Sequence, residues 1–333
     1  MSRRAVGAIA LAVASVALSA CGGTTGSTSA GGPTGVATSS RPPSSPTASP
    51  SRRHTKAAAP ATSTSTSSAP PGPAQISKLL VFVVENHSLD EMRAQMPWTY
   101  GLATRYGHAT AYRAMTHPSL PNYLAIAGGS TFGITDDRDP SSHPIHGPSV
   151  FGAALHAGLT ARVYADAMPS PCFPTSAGEY AVRHNPWTYF VDERSACRTF
   201  DTPLARFPAN VRAGDLPDAG MVVPDVCHDA HDCSLATADA WLRQEAGLAM
   251  SGPDFRSGRL AIVVTADEDD YSQDNTVLTV VVHPSLHAAV VTTPLSQLSL
   301  SRLYSEVLGL PPLRDAASAP SMTTAFHLPL ARR

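Results

Sequence analysis

Two polar segments of the sequence carry side chains that can bind a metal ion, and each follows a run of apolar residues. Glu85 and Asn86 come directly after one run, and Asp267 and Glu268 come shortly after another. Hard divalent cations prefer carboxylate and carbonyl oxygens, so these two chain positions could hold one ion together. The acidic residues 267–270 alone would favour a solvated loop. The Glu85–Asn86 pair at the other strand end changes this interpretation in favour of a metal site, because carboxylates at the tip of a buried strand need a compensating charge.

Ser119 lies between two prolines, Pro118 and Pro121. The prolines restrict the backbone, and the apolar residues that follow predict a helix that ends at the glycine pair 128–129. A helix N-terminus has free N–H groups and the positive end of the helix dipole, so it favours a phosphate. An ordinary helix-capping serine is the alternative interpretation of this segment alone.

Two of the thirteen histidines lie in polar segments that carry other reactive side chains: His184 and His231. Most histidines in a protein are surface or packing residues. Asp229 and Asp232 lie close to His231 in the sequence, and acidic neighbours tune the proton affinity of an imidazole. His231 is therefore the stronger candidate for proton transfer.

The elements that would position these residues can be read from the apolar pattern. Continuous apolar runs, typical of strands covered on both faces, span Lys78–Val84, Leu260–Val264 and Val277–Val282. Helical spacing covers Val150–His156 and Leu235–Leu248, and shorter strands are predicted at Thr160–Tyr164 and Met221–Val223. Strands that alternate with helices predict a three-layer α/β/α fold with a mostly parallel central sheet. In such sheets the chemistry gathers beyond the carboxyl ends of the strands.

The first 75 residues indicate export and tethering. Residues 1–21 combine a basic start, a short apolar run and the sequence Leu-Ser-Ala-Cys, which resembles the lipobox of bacterial lipoproteins and predicts lipidation of Cys21. A plain secretory signal is the alternative. Residues 22–75, rich in Gly, Ser, Thr, Ala and Pro, predict a disordered tether, and residues 76–333 the folded domain. The expected location is the outer face of a bacterial cytoplasmic membrane or the cell wall; the alternative is secretion.

Four cysteines remain once Cys21 is assigned to lipid: Cys172, Cys197, Cys227 and Cys233. An even number in an exported protein predicts disulfides, and nearest-neighbour pairing is the simplest of the three possible patterns. Zinc binding is the alternative interpretation. It is disfavoured because the sequence has no Cys-x-x-Cys motif and an oxidising compartment favours the bridge.

The charge distribution excludes a nucleic-acid partner. Residues 1–75 contain no Asp or Glu, and residues 76–333 contain 18 basic and 26 acidic side chains, a formal charge of −8. Affinity for a phosphate backbone requires clustered Lys and Arg. The lipobox instead predicts a membrane as a partner, through the lipid anchor.

Four blocks in the same order resemble the bacterial phosphoesterase family that contains secreted acid phosphatases and phospholipases C, within the alkaline-phosphatase-like superfamily. The blocks are Thr116–Tyr123, Gly178–Trp187, Asp229–Trp241 and Thr265–Asp270, and they are similar above all to mycobacterial secreted acid phosphatases. The resemblance covers about residues 77–327 and implies an alkaline-phosphatase-like fold.

The resemblance also implies roles for individual residues. The metal ligands would be Glu85, Asn86, Asp267 and Glu268, holding a divalent ion of unspecified identity. The nucleophile would be Ser119 rather than Thr116, because it lies two residues before the Pro-Asn pair. His184 and His231 would contact the phosphate and the leaving group, with Asp229, Asp232 and Asn122 in support.

Three residues depart from the pattern common in these relatives: Ala266 replaces a Trp, His228 replaces an Asn, and Gln297 replaces a His. Ala266 would widen the space beside the metal. Gln297 cannot donate a proton as an imidazolium can, which would reduce activity or change its pH profile.

The function that the resemblance implies is metal-dependent hydrolysis of phosphomonoesters through a phosphoserine intermediate, so the predicted substrate is a small phosphate ester. The chain is expected to be a monomer. One alternative is cleavage of phosphodiesters such as phospholipids. A second is a binding lipoprotein on a catalytically weak phosphoesterase scaffold. A purely structural wall lipoprotein is disfavoured, because it would not require these polar residues at strand and helix ends.

Overall fold

The computed structural model describes residues 75–332. The expected export signal, the lipidation site Cys21 and all but the last residue of the tether lie outside these residues. Eight strands form one sheet: β1 Lys78–Val84, β2 Gly107–Ala109, β3 Ala161–Ala165, β4 Asp201–Pro203, β5 Ala219–Val223, β6 Leu260–Ala266, β7 Thr279–Val282 and β8 Ala289–Val291.

The sheet has the order β4-β3-β5-β1-β6-β7-β2-β8. Within the described chain, β7 alone runs antiparallel to the other strands, pairing with β6 on one side and β2 on the other. The predicted mostly parallel sheet is confirmed. Parallel neighbours align their carboxyl ends, so the residues that follow β3, β5, β1 and β6 all emerge at one edge.

The two central strands, β1 and β6, are buried almost throughout. Apolar side chains on both faces suit a strand that is covered by helices above and below. The two strands pair in register over seven residues, from Lys78 opposite Leu260 to Val84 opposite Ala266. The polar residues that come next in each chain segment therefore start side by side.

Ten α-helices belong to the described chain: α1 Leu89–Gln95, α2 Pro97–Arg105, α3 Ser119–Gly128, α4 Val150–His156, α5 Arg194–Phe200, α6 Phe207–Ala213, α7 Leu235–Ser251, α8 Pro253–Arg256, α9 Gln297–Leu308 and α10 Met322–Phe326. Helices α3 and α4 pack with α9, whereas α2, α6 and α8 pack with α7. On the second side, Phe82 of β1 makes edge contacts with Phe207 of α6 and Trp241 of α7. Two helical layers enclose the sheet, and the predicted three-layer architecture is confirmed.

Most of the predicted elements are present, with small shifts in their ends. Helix α4 has the predicted bounds, and α7 runs three residues further than expected. The third apolar run enters the sheet only at Thr279, because Val277 instead donates its N–H to Tyr112 O. The three-residue strands β2, β4 and β8 had not been predicted. They have no apolar alternation of their own and form where the tertiary fold brings them to a neighbour.

Two disulfides join Cys172 to Cys197 and Cys227 to Cys233. The predicted nearest-neighbour pairing is confirmed. The second bridge closes a loop of six residues between β5 and α7. Among the described residues, no helix is both long and apolar enough to cross a membrane.

Candidate functional site

The site is built where β1 and β6 end. Glu85 and Asp267 are both fully buried, although each is a carboxylate. The backbone N–H of Asp267 bonds to Val84 O at 3.0 Å, and the Asp267 carboxylate accepts the N–H of Asn86 at 3.0 Å. Asn86 has a φ of 57°, a left-handed conformation that Asn tolerates better than most residues. The in-register pairing thus delivers the two carboxylates to adjacent positions.

Ser119 is the first residue of α3, and Pro118 is its N-cap. The Ser119 hydroxyl donates to Glu85 Oε2 at 2.9 Å and also interacts with the Asp267 carboxylate. The hydroxyl of Thr116, the alternative nucleophile, instead donates to the carbonyl oxygen of His117. The geometry therefore places the Ser119 oxygen, and not that of Thr116, at the two buried carboxylates.

Asn122 fastens the segment that carries Ser119. Its amide oxygen accepts the N–H groups of Met115 and Thr116 at 3.0 and 3.2 Å. Its amide nitrogen donates to Thr116 O at 2.7 Å and to Glu268 Oε2 at 3.0 Å. One side chain thus closes the turn before α3 and ties it to the segment after β6. These bonds suit the supporting role that the resemblance implies for Asn122.

His184 lies inside the carboxylate cluster. Its ring is fully buried, with Nε2 3.3 Å from Glu85 Oε2 and Nδ1 3.0 Å from Asp229 Oδ2. Burial, with the nearby charges of Arg183 and His231, lowers the pKa of His184 well below its usual value. Ligand atoms of Glu85, His184 and Asp229 lie within 4.8 Å of one another and could hold a metal ion. The expected contact of His184 with phosphate is therefore less suited to this geometry than a place among the ligands.

His231 lies at the rim of the site, where its side chain is 35% exposed. Its Nδ1 is 2.6 Å from Asp232 Oδ1, and Arg183 donates to its Nε2 at 3.0 Å. An arginine donates only, so Nε2 accepts and Nδ1 carries the proton. Asp229 accepts the backbone N–H of His231 at 2.8 Å, which connects the rim to the buried carboxylates.

Two residues of the site had not been singled out from the sequence. The Tyr123 hydroxyl donates to Glu85 Oε1, and its ring stacks on His184 with centroids 5.2 Å apart. The ring nitrogens of His117 contact Glu268 at 3.1 Å and Asp269 at 3.2 Å. A signal existed for Tyr123, because it lies one helical turn after Ser119 and so shares its face of α3.

Four carboxylates crowd the site without a Lys or Arg partner: no such ion pair reaches Glu85, Asp229, Asp267 or Glu268 within residues 75–332. Burial, followed by repulsion from Asp267 and Asp229, raises the pKa of Glu85 well above its usual value. Burial raises the pKa of both Asp229 and Asp267 to about 7. Burial and the charge of Asp267 raise the pKa of Glu268 to about 9. So much uncompensated negative potential is what a bound cation would relieve.

A divalent metal ion fits this donor set. Asp267 Oδ2 is buried and has no hydrogen-bond partner, which leaves it available as a ligand. Glu85 and Asp267 approach each other as the sequence predicted, and Asn86 follows Glu85 directly, with its amide nitrogen 3.4 Å from Glu85 Oε2. Glu268, the fourth predicted ligand, stays a prediction. Both oxygens of Glu268 face other partners, one Asn122 and the other His117.

Two of the three residues that depart from the relatives, Gln297 and Ala266, lie around the same centre. Gln297, fully buried at the start of α9, donates its amide to Asp267 O at 2.6 Å. It therefore supports the backbone of a candidate ligand, a role that needs no proton transfer. Ala266, the last residue of β6, is fully buried directly before Asp267.

Comparison with known proteins agrees with this architecture. The model of the phosphoesterase family matches residues 91–285. The chain belongs to the phosphoesterase family. The match includes Ser119, His184, His231 and Asp267, whereas Glu85 lies six residues before it. The resemblance that the motif blocks indicated is confirmed, and the chain is a hydrolase of phosphoric esters.

This phosphoesterase is similar in sequence to two relatives and in fold to one solved structure. The phosphatidylinositol-3-phosphatase of Mycobacterium tuberculosis is 31% identical over 251 residues, which cover 74% of this chain and 81% of that protein. A probable acid phosphatase of Kluyveromyces lactis is 26% identical over 246 residues, 70% of this chain and 57% of that protein. A protein of the alkaline phosphatase superfamily from Vibrio parahaemolyticus superposes with a TM-score of 0.53 at 11% identity, over 76% of this chain and 72% of that one. The superposition shows the fold.

Proposed function

We propose that this phosphoesterase is a metal-dependent phosphomonoesterase, of the acid phosphatase type, that transfers the phosphoryl group first to Ser119 and then to water. One observation carries the proposal: the Ser119 hydroxyl, at the N-terminus of α3, donates to Glu85 at 2.9 Å and also meets Asp267. A hydroxyl held by two carboxylates next to a helix N-terminus is suited to attack on phosphorus.

The residues that would hold the metal are Glu85 and Asp267, with Asn86 and Glu268 as the further ligands that the resemblance implies and His184 and Asp229 as those that the geometry adds. When bound, a divalent ion stabilises the ionised serine oxygen and polarises the phosphoryl group. Tyr123 donates to Glu85 and so fixes the orientation of the carboxylate that meets the nucleophile.

The protein side chains perform the remaining steps. Glu85 accepts the hydrogen bond of the Ser119 hydroxyl and takes its proton as the oxygen attacks. The guanidinium of Arg183, at the rim, supplies positive charge for the phosphoryl oxygens. His231 is reached by solvent, so we assign it protonation of the leaving alcohol in its imidazolium form: Nε2 gives its proton, and Nδ1–H stays bonded to Asp232. Water then attacks from the side that the alcohol has left and gives a proton to Nε2 of the neutral His231, while Glu85 returns its proton to the Ser119 oxygen as phosphate is released.

Several observations favour monoesters over diesters. The relatives just named are a phosphatidylinositol-3-phosphatase and an acid phosphatase, and both names describe monoester hydrolysis. A monoester dianion carries one more negative charge than a diester, and Arg183 can balance it beside the metal. The folded part has a formal charge of −8, so an anionic lipid bilayer would repel it overall. A phosphorylated lipid headgroup still fits the monoester class.

The test is turnover of p-nitrophenyl phosphate by the full chain, with and without a chelator. We expect the chelator to abolish turnover and a divalent metal to restore it. Ser119→Ala should remove activity, whereas Thr116→Ala should retain it, and acid quenching of wild type should trap phosphate on Ser119. Wild-type turnover by Ser119→Ala would refute the nucleophile. A tenfold or greater preference for bis-p-nitrophenyl phosphate would refute the monoester assignment and support the diesterase.

The proposed setting of this activity is outside the cell. We propose that Cys21 is lipidated and that residues 22–75 hold the enzyme, as a monomer, above the outer face of the cytoplasmic membrane. The two disulfides support an oxidising compartment. Light scattering of the soluble domain tests the monomer, and a stable dimer would contradict it.

A further inference from the structure

A second cluster of metal-binding side chains lies at the same edge of the sheet, away from Ser119. Asp166 follows β3, Asp225 follows β5, and His228 lies three residues further along. The Nδ1 atom of His228 is 3.1 Å from Asp166 Oδ2 and 3.0 Å from Asp225 Oδ1. One potential ligand atom from each of the three residues lies within 4.8 Å of the other two.

Glu245 of α7 is an independent sign that this cluster binds a cation. It is only 5% exposed; its Oε1 accepts a hydrogen bond from Gln244 at 2.7 Å, and its Oε2 atom is buried without a hydrogen-bond partner. Trp241, one turn earlier on the same helix, stacks on His228 with ring centroids 5.7 Å apart and planes 18° apart. Glu245 therefore points to the same side as Trp241, toward the cluster. Its carboxylate interacts electrostatically with Asp166 and His228, and burial raises its pKa.

The charges of this cluster do not balance. Three carboxylates face one imidazole, and among the residues that the structure describes no Lys or Arg forms an ion pair with any of them. A protonated His228 would offset one of the three negative charges. Burial of negative charge that is only partly compensated costs free energy, so a bound cation would stabilise the cluster.

We propose that this cluster is a second divalent-cation site, distinct from the one beside Ser119, with the ligands Asp166, Asp225 and His228 and with the Glu245 carboxylate as a further negative charge beside them. Carboxylates combined with one imidazole suit Zn²⁺ or Mn²⁺ better than Mg²⁺, which prefers oxygen ligands and keeps its waters. The His228 side chain is 36% exposed and that of Asp166 is 23% exposed, so an ion can enter from solvent.

The second ion would act on the loop that also serves the catalytic centre. Asp225 and His228 bind it, whereas the next residues, Asp229 and His231, face the first site. Asp225 already shapes the loop, because its Oδ1 accepts the N–H groups of Cys227 and His228 at 3.1 and 2.8 Å. An ion at the start of the loop would therefore hold Asp229 and His231 in place from outside the reaction centre.

The test counts metal ions on the intact, metal-stripped protein after it is reloaded with Mn²⁺ or Zn²⁺ and passed through a desalting column. We expect two ions per chain for wild type and one each for Asp166→Asn and His228→Asn. Asp267→Asn should also retain one ion, at the second site. Asp215→Asn, which changes an exposed aspartate outside both clusters, is the matched control and should retain two.

Glu245→Gln keeps the shape of the side chain and removes only its charge, so it guards against a folding defect. We expect this variant to lower the affinity for the second ion by about tenfold or more in titration calorimetry, while the affinity for the first ion stays unchanged. One ion on wild type, or two ions on both Asp166→Asn and His228→Asn, would overturn the proposal. The ion count does not depend on turnover, so a failed activity assay leaves this result standing.

Discussion

Asp201 is a buried carboxyl group whose ionisation should set part of the protein's pH dependence. It is the first residue of β4 and has no exposed surface. Its Oδ2 accepts one hydrogen bond, from Asn185 at 2.9 Å, and its Oδ1 has none. Burial raises the pKa of Asp201 from 3.8 to about 8. The folded protein therefore keeps this carboxyl protonated at neutral pH.

The direction of this pH dependence follows from the number of protons that Asp201 binds in the folded and the unfolded chain. Between pH 3.8 and about 8 the folded chain holds a proton on Asp201 that the unfolded chain has lost. Stability therefore falls as pH rises through this window, by at most about 1.4 kcal/mol per pH unit. From pH 5 to pH 7 the loss amounts to about 3 kcal/mol. Asp201→Asn removes the titration and keeps a similar shape, so its stability should not share this loss.

The measurement is urea unfolding of wild type and Asp201→Asn at pH 5, 6 and 7, with the disulfides intact and metal present. The difference in unfolding free energy between the two proteins isolates this one group, because all others titrate in both. We expect that difference to move in favour of the variant by about 3 kcal/mol from pH 5 to pH 7. A constant difference across the range would show that Asp201 is ionised in the folded state and refute the reasoning. Asp215→Asn, at an exposed position, should track wild type throughout.

Three further predictions concern the site, the disulfides and the N-terminus. His231→Asn should lower kcat by about 10² or more on an alkyl phosphate and much less on p-nitrophenyl phosphate, whose leaving group needs no proton; equal losses would contradict a role as acid. Replacing Cys172 and Cys197 by Ser should cost roughly 3 kcal/mol in urea unfolding, from the loop of 25 residues that their bridge closes; an unchanged midpoint would contradict it. Mass spectrometry of the mature chain should find a lipid on Cys21, and an unmodified N-terminus elsewhere would contradict the lipobox.

The centre of the fold could be predicted because its signals are local in sequence. Continuous apolar runs mark β1 and β6 as strands buried on both faces, and the polar residues after them can meet only at the carboxyl edge of the sheet. The prolines around Ser119 similarly predict the start of α3. Each of these inferences needs only neighbouring residues and the geometry of a parallel sheet.

The features of the fold and the site that could not be predicted depend on contacts between distant parts of the chain. The sequence does not show that Glu268 turns toward Asn122 and His117, because this orientation depends on a hydrogen bond with Asn122 and a charged contact with His117, which lie 146 and 151 residues earlier in the chain. The burial of His184 between two carboxylates likewise arises only when separate loops converge. The edge strands β2, β4 and β8 are too short to have a period, so their pairing is a consequence of the assembled sheet.

The in-register pairing of β1 with β6 should make different parts of the site differ in their resistance to local opening. The amide of Asp267 bonds to Val84 O at the end of this ladder, so its hydrogen exchange should require opening of the sheet centre, with a free energy near that of global unfolding. His231 lies on an exposed loop and should exchange far sooner. The buried carboxylates should therefore be held more firmly than the rim of the site.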